Sequence, residues 1–324
     1  MMRAERKNTV IFLGAGASKA EGAPIQSEMI NEFFKLKVED EEFFNARQTL
    51  ITFLREVFGM DPETESYISK EYPKFEELLG VIDIALAKRE AIGRLTGDLM
   101  AVREDFIYLL MKTLREKIDT NGGVHKRLMK QLQESGMLDG VTFISTNYDT
   151  LMDEAIATVG EVVYGFEPKG NPKGIKLYKL HGSLNWSECR HCEAFAIDAP
   201  AHSLCADCGQ PRKSIIIPPK YNKNIRNAHL QKVWLEAERA LAQAERLIIC
   251  GYSFPDADIN VKYLLKQGEL SGKKLEINVV NGFAKKSKEE ERLELRRYCR
   301  FFATKVNYTP LSFEDFVNNP SLLL

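Results

Sequence analysis

The chain has 324 residues, 44% of them hydrophobic, and its 45 lysines and arginines against 46 acids leave a formal net charge of -1. That composition fills one large or two modest cores and gives no field that would by itself gather nucleic acid or an anionic membrane, so neither is expected as a partner. No apolar run approaches the roughly 20 residues that span a bilayer, and the first residues lack the apolar core of a secretion signal, which predicts a cytoplasmic protein.

The first predicted element is a buried strand over Val10 to Leu13, broken by Gly14 and Gly16. The glycines permit torsions that side chains forbid, and Ser18 is expected to open a helix whose N-terminal amides face a phosphate. Ordinary turn chemistry is the alternative. A dinucleotide fingerprint would place a third glycine where Lys19 stands and an acid at the end of a second strand about twenty positions on, and neither is present. From 28 to 136 the spacing is helical and reads as an insertion, with apolar faces at Phe33, Leu36 and Val38, at Phe43, Phe44, Leu50 and Leu54, and at Phe75, Leu78, Leu79, Ile82 and Leu86. The acidic run Glu39 to Glu42 reads as solvated surface.

After residue 137 short apolar strands alternate with helical patterns. Strands are predicted at Val141 to Ile144, Lys176 to Leu180, Ser214 to Ile217, Arg246 to Cys250 and Leu275 to Val280. Helices are predicted at Asp149 to Thr158, Ala228 to Ala244, Lys286 to Phe301 and from about Ser312. The alternation predicts an α/β fold, a parallel sheet with crossover helices that the first strand joins across the insertion.

Six cysteines fit metal binding better than disulfides in a reducing compartment, because four form two close pairs. Cys189-x2-Cys192 and Cys205-x2-Cys208 have the spacing of two zinc knuckles, each placing two sulfurs on one side of a tight turn, with Gly209 suited to the bend. Four protein ligands leave no open position, so the zinc would be structural. His191 and His202 are alternative ligands or plain loop residues, while Cys250 and Cys299 read as buried thiols.

Polar residues gather where strands end. His181 follows the strand at Lys176 to Leu180, and is either a general base suited to neutral pH or a histidine satisfied by backbone groups. Ser145, Thr146, Asn147, Tyr148 and Asp149 follow another strand, where a helix cap explains Asp149 and a ribose or a fixed water would employ the rest. Gly251, Tyr252, Ser253 and Phe254, and Asn281 with Gly282, are either turns or further parts of one ligand edge.

Taken in order, Gly14 to Ser18, Gly22-Ala23-Pro24, Ser145 to Asp149, His181-Gly182, the cysteine pairs, Gly251 to Ser253 and Asn281 resemble the sirtuin family over roughly residues 8 to 283. The resemblance implies a single catalytic domain over 1–324, a Rossmann-like fold that binds NAD, with the helical insertion at 28–136 and a zinc module at 187–213. Gly14, Ala15, Gly16 and Ser18 would hold the pyrophosphate beside Pro24, and Asn147 and Asp149 would border the nicotinamide ribose. His181 would be the base, and Gly251, Ser253 and Asn281 would line the adenosine half. Deacylating sirtuins follow the glycine-alanine-proline segment with aspartate, phenylalanine and arginine, where this chain has Ile25, Gln26 and Ser27, and they carry glutamine at the position of Thr146. The departures resemble the prokaryotic sirtuin-like NAD hydrolases of antiviral defence. They imply an oligomeric NADase effector, cleaving NAD to ADP-ribose and nicotinamide and triggered by a separate ATPase, Argonaute or phage component. A protein-lysine deacylase and a non-catalytic NAD or ADP-ribose sensor are the competing expectations.

Overall fold

The computed structural model describes residues 7–37, 39–64, 72–93, 98–119, 123–167, 173–198, 203–217, 227–256, 258–272, 274–282 and 287–319. The chain divides into two compact units, one comprising Met1–Gly22, Asp119–Ser183 and Pro219–Leu324, the other Ala23–Ile118 and Leu184–Pro218.

In the first unit β1 (Thr9–Leu13) is buried at every position and runs straight into α1 (Ala15–Ser18). The second unit then supplies α2 (Met29–Lys35), α3 (Glu41–Phe58), α4 (Phe75–Lys88) and α5 (Leu99–Lys117). Their apolar faces follow the predicted spacing: Phe33, Phe43, Leu50, Leu54, Phe75, Leu78, Leu79 and Ile82 are all buried, whereas Phe44 is 50% exposed. Val38 lies outside the described residues. Asp40, read as plain surface, caps α3 by accepting from the backbone of Glu42 and Phe43 and also takes the Tyr108 hydroxyl at 2.8 Å.

The chain returns to the first unit through α6 (Val124–Glu134), β2 (Val141–Ser145), α7 (Leu151–Ala157), β3 (Val162–Val163) and β4 (Ile175–Lys179). Next come β5 (Gly182–Cys189), β6 (Phe195–Ile197) and β7 (Arg212–Ile216), a three-stranded sheet in the order β6-β5-β7. The strand predicted at Ser214 to Ile217 therefore exists, but it belongs to this small sheet beside the cysteines and not to the parallel one. Its apolar run gives the same reading in either sheet, and pairing partners decide which.

The first unit closes with α8 (Ala228–Gln243), β8 (Arg246–Cys250), α9 (Ile259–Glu269), β9 (Glu276–Val280), α10 (Lys288–Phe301), β10 (Val306–Thr309) and α11 (Phe313–Val317). Ser287 and Ser312 cap α10 and α11 through their hydroxyls. The seven strands of this unit order β10-β9-β8-β1-β2-β4-β3, with every pairing parallel. Strands such as Leu247 to Cys250 are apolar without alternation because both faces of a parallel sheet are covered.

The order fixes where a ligand can sit. From β1 the chain builds outward through β2 and β4, then crosses to the other side of β1 to add β8, β9 and β10. The point of reversal lies between the carboxyl ends of β1 and β8, the place where open α/β sheets form a crevice. Here the two loops touch backbone to backbone. Gly14 N–H donates to the Cys250 carbonyl at 2.9 Å and Gly16 N–H to the Gly251 carbonyl at 2.8 Å. A Cβ on Gly14 would lie 2.6 Å from the Gly251 oxygen, and one on Gly251, itself at φ +65°, would lie 2.2 Å from Ala17 N.

Substitution should separate this contact from a merely flexible glycine. Gly14→Ala is expected to lose about 2 kcal/mol or more in urea denaturation, because main chain must move. Gly80→Ala, inside α4 with nothing within 4 Å of the added methyl, should gain about 1 kcal/mol.

Candidate active site

Five polar strand ends lie along one edge of the parallel sheet. The glycine loop follows β1, Ser145 to Asp149 follow β2, His181 follows β4, Gly251 to Phe254 follow β8, and Asn281 follows β9.

Asn147, 8% exposed, joins the loop after β2 to the loop after β1. Its side-chain amide donates to the Gly14 carbonyl at 2.9 Å and to Ser18 Oγ at 2.8 Å. Ser18 Oγ passes its own proton to Asp149 Oδ2 at 2.7 Å. Both amide protons are thus spent, and Oδ1 is the atom of Asn147 left to accept from a ligand or a water. The helical turn begins earlier than the sequence suggested: Gly14 occupies the cap of α1 and Ser18 is its last residue, leading into a 3-10 turn over Lys19–Glu21 that the serine side chain does not cap. Its hydroxyl is used sideways, as the link between two strand ends. Asp149 acts partly as the expected cap, accepting from Leu151 N–H at 3.2 Å.

A buried cation holds the same loop from behind. Lys179, 1% exposed, donates to the Asp149 carbonyl at 2.6 Å, to Asp153 Oδ2 at 2.8 Å and to Ser183 Oγ at 2.5 Å. Tyr164 completes Asp153 through a 2.6 Å bond. Three donors meet three acceptors, which is what a fully buried ammonium requires. The sequence reading passed over Lys179, although its place two residues before His181 at a strand end was visible.

His181 is 2% exposed, and its Nε2 lies 3.4 Å from Asp258 Oδ1. Tyr148 places its ring 6.1 Å away. Asp258, just before α9, also escaped the sequence reading. The available signal was an acid seven residues after Gly251, on the same side of the sheet reversal.

Beyond β8 the loop is strained and heavily braced. Phe254 adopts φ +56°, uncommon for a bulky residue, and precedes Pro255. The rings of Tyr298 and Phe301 at 4.7 and 5.0 Å hold it, with Lys262 Nζ 4.8 Å from its centroid. Asn281 gives its amide protons to Glu294 Oε1 and, at 3.2 Å, to the Tyr252 carbonyl. Its Oδ1 is buried and takes no hydrogen bond from the described residues. Ser253 is exposed on this loop and Ala15 is half-buried on the first. Pro24 is buried in the second unit, whereas Gly14, Ser18, Asn147, Asp149 and Gly251 belong to the first.

The second unit carries the cysteine cluster. The four sulfurs of Cys189, Cys192, Cys205 and Cys208 lie within 4.8 Å of one another. Tetrahedral zinc thiolate sets sulfurs about 3.8 Å apart for bonds near 2.3 Å. The pairs Cys189 with Cys208 and Cys192 with Cys205 stand at 3.3 and 3.6 Å, so the donor set fits structural zinc. The N–H groups of Cys192 and His191 point at Cys189 Sγ and, against burial, draw its thiol down to about 6, Cys192 having the larger effect. Arg212 reaches Cys205 Sγ at 3.6 Å and the Ala194 carbonyl at 2.8 Å. Gly209 makes the predicted bend at φ +71°, and Glu193 makes the equivalent bend after Cys192 at φ +59° without being glycine. His191 contributes its backbone, and His202 lies outside the described residues. Cys250 is a buried thiol with a raised pKa caused by burial. Cys299 is exposed on α10, contrary to expectation, because it falls on the solvent face of that helix.

A model described as the SIR2-like domain matches residues 141–295, a span holding Asn147, His181, the four cysteines, Gly251 and Asn281. No curated protein matches the chain. Among solved structures, Sir2Tm bound to a propionylated peptide is 16% identical, covering 97% of this chain and 92% of that one at a TM-score of 0.45. Sir2 with a p53 peptide and NAD+ is 17% identical, covering 98% and 94% at a TM-score of 0.48. No helix among the described residues is long and apolar enough to cross a membrane.

Two outcomes are expected. Purified protein should carry one zinc per chain by elemental analysis, and Cys205→Ser or chelation should remove it and shift the emission of Trp186, which is buried in β5 against Phe195. Asp153→Ala should lower the melting free energy by about 3–5 kcal/mol in calorimetry, because it strands the Lys179 charge.

Proposed function

We propose that the chain is an NAD+ glycohydrolase, an NADase that cleaves NAD+ to ADP-ribose and nicotinamide. The observation that carries the reading is the meeting of Gly14, Ser18, Asn147 and Asp149 through direct hydrogen bonds at the sheet reversal. The SIR2-like match over 141–295 supports the use of NAD. Gly14, Ala15, Gly16 and Ser18 hold the pyrophosphate, the close approach of Gly14 to Gly251 leaving backbone alone at that surface. Gly251, Ser253 and Asn281 take the adenosine half, where Asn281 Oδ1, buried without a partner among the described residues, suits a ribose hydroxyl. Asn147 and Asp149 border the nicotinamide ribose, with Pro24 assigned to the same ligand by the sequence resemblance.

Breaking the nicotinamide-ribose bond generates an oxocarbenium-like centre, so catalysis rests on positioned polar groups. Asn147 is held by its two spent protons, and its Oδ1 accepts from the attacking water. His181 takes the water's proton as the new carbon-oxygen bond forms. The balance is NAD+ and water to nicotinamide, ADP-ribose and a proton. Ile25 and Gln26, standing where deacylating sirtuins carry an aromatic and its neighbours, favour water over an acyl-lysine. The same resemblance supports an oligomeric effector of prokaryotic antiviral defence that waits for an ATPase, an Argonaute or a phage component.

Chromatography of NAD incubated with the protein should show nicotinamide without any acylated peptide, once the trigger is supplied. Asn147→Ala and His181→Ala should lose that release by 100-fold or more while NAD binding persists. Release that depends strictly on acylated peptide would make the protein a deacylase. Binding without turnover under every trigger would make it a sensor.

A further inference from the structure

His181 does not stand alone at the end of β4. Its Nε2 lies 3.4 Å from Asp258 Oδ1, and the other carboxylate oxygen accepts the Tyr252 hydroxyl at 2.9 Å. All three residues are buried, at 2%, 1% and 4% exposure. Tyr252 is itself fixed, since its carbonyl takes the Tyr298 hydroxyl and the Asn281 amide. Its ring packs edge-on to Phe12 of β1 at 5.0 Å. The carboxylate is therefore anchored to the core on one side and presented to an imidazole on the other. Two residues earlier Asp256 pairs with Lys262 at 2.9 Å while its own side chain is 92% exposed. The two acids of this turn are thus alike in sequence and opposite in setting.

We infer that Asp258 is the positioning residue of His181: its carboxylate fixes the Nε2–H tautomer, so that Nδ1 receives the proton, and stabilises the imidazolium that results. A buried histidine loses affinity for a second proton through desolvation, and an adjacent carboxylate restores it. Among the described residues Asp258 before α9 and Tyr148 after β2 face His181, while the neighbouring Lys179 is committed to Asp153 and Ser183. The chemical part of the inference rests on His181 acting as the base; the pairing itself does not.

The experiment follows the His181 ring by NMR in the whole chain with labelled histidine, beside nicotinamide release. In Asp258→Asn the His181 titration should move down by about one pH unit or more, since an opposite charge is removed. In Tyr252→Phe, which leaves more of the carboxylate to the histidine, it should move up. Nicotinamide release should fall at least 10-fold in Asp258→Asn with little change in KM for NAD, recover partly in Asp258→Glu, and stay at the wild-type level in Asp256→Asn. If Asp258→Asn does not fold, the Tyr252→Phe titration decides. An unmoved His181 resonance in the folded variants overturns the pairing. A wild type that releases no nicotinamide overturns the proposed reaction instead, and the titration still tests Asp258.

Discussion

The contact on which the first unit depends is backbone against backbone: the loop leaving β1 lies on the loop leaving β8, with glycine on both sides. Gly14 and Gly251 come so close that neither tolerates a Cβ without moving main chain. This closeness follows from the sheet order, because β1 and β8 are neighbours whose connections leave in opposite directions. Once the two loops are joined by Gly14 to Cys250 and Gly16 to Gly251, the remaining strand ends have fixed positions around them.

Polar side chains then lock what the glycines bring together. Asn147 and Ser18 tie the β2 loop to the β1 loop, Lys179 ties it to α7 and to the start of β5, and Asn281 ties β9 to the carbonyl of Tyr252. Glu21 and His125 add a further buried brace just beyond α1, where Glu21 also accepts from the His125 backbone N–H at 3.2 Å. Burial would raise the Glu21 carboxyl, but the His125 contacts hold it below its ordinary range. Such pairs are costly to break on one side only. A site braced in this way changes little when a ligand arrives, which suits chemistry that relies on placement more than on a strong nucleophile.

Much of this was legible in sequence, for reasons that can be given residue by residue. The strand at Arg246 to Cys250 was read at its observed bounds, because an unbroken apolar run between polar turns is what a doubly covered parallel strand requires. The four cysteines were legible because the x2 spacing is itself the geometry. The strand β10 was missed because Val306 to Thr309 is a half-exposed edge with no apolar run, and β3 because it is two residues long. The helix α9 is hard to see in sequence because exposed Ile259 and Tyr263 blur the helical spacing of its buried Val261, Leu264 and Leu265. Asp258 was missed because its meaning lies in a neighbour 77 positions earlier. Long-range pairing was likewise what decided that Arg212 to Ile216 joins the small sheet. A serine after glycines signals a helical turn, which Ser18 does adjoin, but only the fold shows its hydroxyl turned across to Asn147 and Asp149.

On the proposed function, the carboxyl edge of the seven-stranded sheet is the NAD site. A crystal structure of the His181→Ala protein with NAD would test it most directly. The pyrophosphate is expected at Gly14 to Ser18 and the nicotinamide ribose within hydrogen-bond reach of Asn147 Oδ1. The opposite edge holds a cavity of about 740 Å³ lined by residues such as Leu138, Thr142, Gly160 and Lys176. NAD found there, or away from the glycine loop altogether, would contradict the account.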